Sequence, residues 1–275
     1  MRVNRRGLGA ILLFAVFGIG GVGLIPVFLL VWSRAARQEI MRTLWRIFVW
    51  MLNRSGLIRI DRGELRPWRG TILACNHPSL LDVVAITAFV PKTLFIAKNS
   101  LRNNLCCAAS VRALSLPADA DLVAEAAPRL AAGWNVLIFP EGTRSPGTDR
   151  MRPFKRGCAQ LALRTGAPVV CLGARYSRRV LGKGQSVWDM GTRCMQATFR
   201  ADAPQTFRVQ PGESLHHAAM RVTEALESRI TRLVLDAARE EGMGAPEAGG
   251  GSCPPQEGKF TPLNTPPTPP ACDGI

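Results

Sequence analysis

Residues 70–82 read Gly70-Thr71-Ile72-Leu73-Ala74-Cys75 and then Asn76-His77-Pro78-Ser79-Leu80-Leu81-Asp82. The first six form a short apolar run of the kind found in strands buried on both faces. Pro78 suits the first turn of a helix, where its missing N–H costs nothing. The stretch therefore predicts a strand over 70–75 feeding a helix from Pro78, with His77 left at the non-helical entry. The same alternation recurs downstream. Leu94–Ala97, Asn135–Phe139 and Pro168–Gly173 read as strands, the second stopped by Pro140. Asp121–Ala132 and Gly157–Arg164 read as helices. Residues 213–240 predict an amphipathic closing helix with Leu215, Met220, Val222, Ala225, Leu226, Ile230 and Leu233 near one face. The fold class is α/β, a largely parallel or mixed sheet flanked by helices.

The spacing of His77 and Asp82 carries the first chemical hint. Five residues apart on one continuous helix, they would point about 140° from each other. With His77 outside the helix its ring can fold back, so that Asp82 accepts from one ring nitrogen and the other is free to take a proton from a bound hydroxyl. Alone this pattern is weak, since a His beside Pro is more often a capping residue.

A second element stands at the end of the strand over 135–139: Phe139-Pro140-Glu141-Gly142-Thr143-Arg144-Ser145. Pro140 ends the ladder, Gly142 permits a tight turn, and Arg144 offers a planar fork of donors to phosphate or carboxylate. Taken in isolation, the heptad also reads as a surface turn with a Glu–Arg ion pair.

Together, NHPSLLD and FPEGTRS resemble the motifs of the 1-acyl-glycerol-3-phosphate acyltransferase family of glycerolipid acyltransferases. The resemblance covers roughly residues 40–235 and continues in Phe154-Lys155-Arg156-Gly157 and Ala167-Pro168-Val169-Val170. It implies a glycerolipid acyltransferase-like sheet, with His77 as general base and Asp82 orienting it. It also implies that Glu141, Gly142, Thr143 and Arg144 help to hold the acceptor's glycerol phosphate. Lys98, in Ala97-Lys98-Asn99-Ser100-Leu101, is similar to a family lysine near that phosphate. The expected reaction is transfer of a fatty acyl group from an acyl carrier protein (ACP) or coenzyme A (CoA) thioester to a lysophospholipid hydroxyl, with 1-acylglycerol-3-phosphate becoming phosphatidic acid. No bound cofactor and no metal are expected. One departure stands out: the family's middle motif ends in an Arg that contacts phosphate, and residues 108–119 here read AASVRALSLPAD without it. Arg112 lies earlier than that Arg would. A same-family enzyme acting on a different acceptor in a specialised lipid pathway, and a non-catalytic membrane lipid-binding protein, stand as alternatives.

The remaining sequence supplies context. Residues 8–32 hold no charged side chain, and 25 helical residues suffice to cross a hydrocarbon core of about 30 Å. Arginines on both sides leave the orientation open, and Gly18, Gly20, Gly21, Gly23 and Pro26 leave a re-entrant bend as open as a span. A signal peptide fits poorly, because the run is too long and no small-x-small cleavage site follows. In 38–54, Ile40, Leu44, Ile47, Phe48 and Met51 fall at helical spacing, and Trp45 and Trp50 suit either a water–lipid interface or core packing. Expected boundaries are 1–54 for anchor and amphipathic helix, 55–240 for the catalytic domain, and 241–275 for a disordered Pro/Gly-rich tail.

The formal charge of +15, from 35 Lys and Arg against 20 Asp and Glu, favours anionic partners. With an apolar start and no nucleic-acid-binding signature, membrane lipid is the expected partner and nucleic acid is not. The eight cysteines contain no C-x-x-C pair, which argues against a zinc site or a disulfide framework. Cys75 and Cys171 read as small buried hydrophobes in a reducing cytosol. The expected location is the cytoplasmic face of the cell inner membrane.

Overall fold

In the computed structural model the described residues are 31, 33–98, 101, 108–118, 121–182, 184–185 and 194–243. All but one residue of the apolar segment over 8–32 lies outside them, as does the tail beyond residue 243. Among the described residues no helix is long and apolar enough to cross a membrane.

Helix α1 (Arg34–Ser55) starts where the Ser33 hydroxyl accepts the Ala36 N–H at 3.3 Å and stops at Gly56, whose φ of +67° suits glycine. Its buried face is Met41, Trp45, Phe48, Val49 and Leu52, an i, i+4, i+7, i+8, i+11 stripe. The sequence reading was out of phase by about one position. Ile40, Leu44 and Met51 are only partly buried, while Ile47 and Trp50 are about half exposed. Trp45 is a core residue stacked on Phe95 at 6.4 Å.

The chain continues through β1 (Ile58–Ile60), β2 (Ile72–Cys75), α2 (Leu81–Phe89), β3 (Thr93–Ala97), α3 (Ala108–Leu114) and β4 (Ser115–Pro117). Then come α4 (Leu122–Ala131), β5 (Asn135–Ile138), α5 (Gly157–Thr165), β6 (Val169–Tyr176), β7 (Met195–Ala201) and α6 (Leu215–Met243). The seven strands form one mixed sheet in the order β1-β7-β6-β2-β5-β3-β4, with every pair parallel except β6–β7.

Strand alternation assigns the two cores. Leu73 and Cys75 face the layer of α1 and α2; Ile72 and Ala74 face α5 and α6, where Leu161, Val222, Leu226 and Ile230 pack. All four residues of β2 and of β5 are buried, as parallel strands covered on both faces require. Gly173 lets α6 approach β6, since a Cβ there would stand 2.7 Å from Leu233 Cβ.

Several expectations change. Helix α2 begins at Leu81, three residues after Pro78, and β6 runs on to Tyr176. On α6, Leu215 and Met220 are exposed and the buried face runs Ala219, Val222, Leu226, Ile230, Val234, Ala237. Strands β1, β4 and β7 and helix α3 were not foreseen. Cys75, Cys158 and Cys171 are buried free thiols, whereas Cys194 is disulfide-bonded. The parallel strands β2, β5, β3 and β6 all end at one edge of the sheet, where a crevice forms in open α/β folds.

Candidate active site

His77 leaves the sheet just past β2, and its backbone is held on both sides. Before it, buried Asn76 extends the ladder with its side chain: Nδ2 donates to Ala174 O at 2.8 Å and Oδ1 accepts the Ala174 N–H at 2.7 Å. After it, Ser79 and Asp82 form a reciprocal cap on the turn into α2. The Ser79 hydroxyl accepts the Leu81 N–H at 3.2 Å, and Asp82 Oδ2 accepts the Ser79 N–H at 2.9 Å. These two bonds hold the turn ahead of α2, which starts at Leu81 after an N-cap residue, Leu80, that makes no side-chain cap of its own.

The same Asp82 Oδ2 lies 3.0 Å from His77 Nδ1. The Asp82 side chain is fully buried and that of His77 is 13% exposed. An ionised carboxylate only accepts, so Nδ1 carries the proton and Nε2 presents a lone pair. The imidazole stacks on Phe139 with centroids 4.0 Å apart and planes at 21°. Ring plane and tautomer are thus both fixed before any substrate arrives.

The loop after β5 is tied to the His77 backbone. Buried Glu141 accepts the His77 N–H on Oε1 at 3.0 Å and the Arg152 N–H on Oε2 at 2.8 Å. The Ser145 hydroxyl donates to Glu141 Oε1, and the Ser145 N–H donates to His77 O at 2.6 Å. Gly142, at φ +68°, closes the turn against the Lys155 side chain, which a Cβ would meet at 3.0 Å. Thr143 is half-buried in the same loop. Arg144 turns its guanidinium to the chain after β6, donating to Leu181 O at 2.7 Å and Gly182 O at 3.0 Å.

The structure thus brings His77, Asp82, Glu141, Gly142, Thr143 and Arg144 to one edge. Lys98 is exposed just past the end of β3, two strands from β2 and so about 10 Å across the sheet. Arg112 lies on α3 just ahead of β4, towards the edge from which the parallel strands enter. Asn76, Ser79, Phe139 and Ser145 have positions that the sequence reading did not assign, although all four lie inside the two motifs. Tyr176, at the end of β6, had no signal of its own.

Burial, and then the Asp82 charge, push the Cys75 thiol and the Tyr176 phenol well above their ordinary values. Among the described residues no group of three His, Cys, Asp or Glu is placed to hold a metal ion.

Residues 58–175 match the family model described as Acyltransferase, a segment that contains the dyad and the loop. A 1-acyl-sn-glycerol-3-phosphate acyltransferase of Cocos nucifera is 36% identical over 135 residues, covering 46% of this chain and 42% of that protein. The chloroplastic 1-acyl-sn-glycerol-3-phosphate acyltransferase BAT2 of Brassica napus is 25% identical over 121 residues, covering 41% and 35%. The chain therefore spans under half the length of either relative in these matches. Among solved structures, the 1-acyl-sn-glycerophosphate (LPA) acyltransferase PlsC from Thermotoga maritima superposes with a TM-score of 0.63. That match covers 85% of this chain and 95% of the other at 24% identity, and it shows the shared fold.

Proposed function

We propose that the chain is a member of the 1-acyl-sn-glycerol-3-phosphate acyltransferase family, as its match to the Acyltransferase model and to the Cocos nucifera enzyme supports, and that it is a membrane-bound O-acyltransferase acting on a lysophospholipid hydroxyl, with 1-acylglycerol-3-phosphate as the first acceptor and phosphatidic acid as product. The observation that carries this reading is the 3.0 Å contact between His77 Nδ1 and Asp82 Oδ2, beside a loop bonded to the His77 backbone. His77 Nε2 takes the proton of the acceptor hydroxyl as its oxygen bonds to the thioester carbonyl carbon. The tetrahedral intermediate then collapses with cleavage of the C–S bond. The leaving thiolate recovers the proton from the imidazolium, giving an ester and a free thiol. Asp82 stays ionised throughout and stabilises the transient positive charge. The donor is a CoA or ACP thioester, and the working location is the cytoplasmic face of the inner membrane.

A specific observation favours a second acceptor class. Arg144 spends donors on two backbone carbonyls, and the middle-motif Arg is missing. A phosphate-free or differently charged lyso-lipid is on this ground the second acceptor class, after the phosphate monoester. A lipid-binding protein without activity would need no oriented base. Incubating the protein in lipid with acyl-CoA or acyl-ACP and lyso-lipids, and following thiol release, tests the reading. Lyso-lipid-dependent release is expected, and its absence for every pair would refute the enzyme.

A further inference from the structure

Tyr176 ends β6 one residue beyond the segment matched by the family model. It is the chain's one tyrosine, against eleven phenylalanines. Its side chain is fully buried in the core beside α2, where a phenylalanine ring would pack equally well, so the hydroxyl calls for its own explanation. That hydroxyl is sealed from water and makes no hydrogen bond of good geometry among the described residues, although the Asp82 and Ser79 side chains lie within its reach. Asp82 Oδ1, the carboxylate oxygen that does not contact His77, is in the same state. A buried donor and a buried anionic acceptor left unpaired are exceptions that need a cause.

Tyr176 stands two residues beyond Ala174, whose backbone is bonded to the Asn76 side chain, so it lies on the α2 side of the sheet beside the turn that carries Asp82. After burial itself, the Asp82 charge is what raises the Tyr176 phenol most, with the Ser79 hydroxyl also beside it. The other ionisable groups bearing on this corner are Cys75 from β2 and Glu141 from the loop after β5. The Cys75 thiol lies towards Asn76 Oδ1, and Glu141, an acceptor, is filled by backbone N–H groups and the Ser145 hydroxyl. The Ser79 hydroxyl accepts the Leu81 N–H and pulls the phenol pKa down, as a donor to the phenol oxygen does, which leaves the Tyr176 proton for Asp82.

We propose that Tyr176 is a positioning residue for the general base: its hydroxyl donates to Asp82 Oδ1 and fixes the carboxylate so that Oδ2 is presented to His77 Nδ1. Oδ2 already serves both the imidazole and the Ser79 N–H. A bond on Oδ1 stops the carboxylate from rotating away from them and draws charge from the oxygen that faces the ring. Removing that donor leaves more negative charge opposite His77, which raises the pH at which the pair takes up a proton.

The kinetic arm of the test rests on the acyl-transfer reading; the spectroscopic arm does not. Tyr176→Phe keeps the ring and removes the hydroxyl. In the full-length protein kcat should fall about tenfold or more, the kinetic equivalent of one hydrogen bond to a charged group, with KM nearly unchanged. The acid limb of the kcat/KM profile should move up in pH. The chain has three histidines, so imidazole NMR reads the His77 titration directly whether or not a substrate has been found. The His77 pKa should rise by about half a unit or more in Tyr176→Phe.

If that variant does not fold, global labelling with 3-fluorotyrosine alters position 176 alone and makes the phenol a stronger donor. The His77 pKa should then fall. A His77 titration unmoved by either change overturns the proposal. A shifted titration in a protein that transfers no acyl group would retain the positioning contact and remove the enzyme reading.

Discussion

Glu141 Oε1 accepts the backbone N–H of His77 at 3.0 Å, across 64 residues of chain. The carboxylate of the loop after β5 thus holds the backbone of the base. Two further hydrogen bonds, from the Ser145 hydroxyl to Oε1 and from the Arg152 N–H to Oε2, engage both of its oxygens. Sequence resemblance assigns this residue to acceptor binding; the geometry adds a bond that sets where the His77 backbone stands.

Glu141→Ala should therefore reduce stability as well as turnover. It leaves the Arg152 N–H without its acceptor and the His77 N–H with the Ser145 hydroxyl alone, and a hydrogen bond to a charged group is worth about 1.5–3 kcal/mol. A loss of about 2–4 kcal/mol in urea unfolding is expected, with kcat down at least about tenfold. A variant of normal stability with only KM raised would return Glu141 to the substrate.

His77→Ala should remove activity and leave the fold standing, because the ring is a rim residue stacked on Phe139 and the other two histidines lie on α6. General-base catalysis contributes about 10²- to 10⁴-fold, so turnover should drop on that scale or more. Asp82→Asn should also lose turnover, since an amide cannot stabilise the imidazolium. Near-normal turnover in folded His77→Ala protein would end the mechanism.

The parts of the site legible in sequence were those made by local spacing. His77 and Asp82 are joined by one turn, and Glu141 to Ser145 form one loop, so residue types alone pointed to them. The central strands β2 and β5 were readable because burial on both faces makes them unbroken apolar runs. Three-residue strands such as β1 and β4 are too short to show a period, and β7 mixes buried Phe199 with Gln196 and Arg200. The direction of Arg144 and the placing of Tyr176 beside the turn before α2 depend on how separate strand ends meet, which no local pattern encodes. The phase error on α1 has a similar origin: Ile47 and Val49 are equally apolar, and only the packing on α2 and β1 selects Val49.

The outward face of α1 gives a membrane prediction. Ile47 and Trp50 are 45% and 49% exposed beside Arg46 and Thr43, an arrangement suited to a lipid headgroup boundary. Ile47→Ser with Trp50→Ser should weaken binding to anionic vesicles without lowering stability, since neither side chain is in the core. Removing residues 1–33 should weaken it further. Unchanged partitioning of the truncated protein would show that the first apolar segment is not the main anchor.

Alkaline pH should destabilise the fold. Burial pushes the Cys158 thiol from 9.0 up to about 12, and raises Cys75, Cys171 and Tyr176 as well. A folded-state pKa above the unfolded one gives a contribution that is complete below the unfolded value and is lost as pH rises towards the folded one. For Cys158 the window is pH 9 to about 12. Each such group adds a slope of about 1.4 kcal/mol per pH unit inside its window. Urea unfolding under reducing conditions should show stability falling above pH 9, and Cys158→Ala should make the fall shallower by about that slope. An equal slope in the variant would mean that this thiol is not sealed from water.

The acceptor is decided by how many cations the site can bring to a phosphate. A phosphate monoester carries a charge between −1 and −2, and holding it away from water with too few donors is costly. Arg144 is engaged by Leu181 and Gly182, Lys98 stands two strands away, and Arg112 lies towards the other edge. For lysophosphatidate to be the substrate, Arg144 must offer phosphate the Nη2 and Nε donors that its Nη1 contacts with the two carbonyls do not use. Arg144→Lys, which keeps the charge and loses the planar fork, should then raise KM for lysophosphatidate about tenfold while changing KM for a phosphate-free acceptor little. A panel of lyso- and hydroxy-lipids with ACP and CoA thioesters, products identified by mass spectrometry, separates the cases. Phosphatidic acid formed at about 1 s⁻¹ or faster means that the missing middle-motif Arg is dispensable here. Turnover of phosphate-free acceptors alone, with lysophosphatidate inert, leaves the base and its chemistry in place and reassigns the substrate.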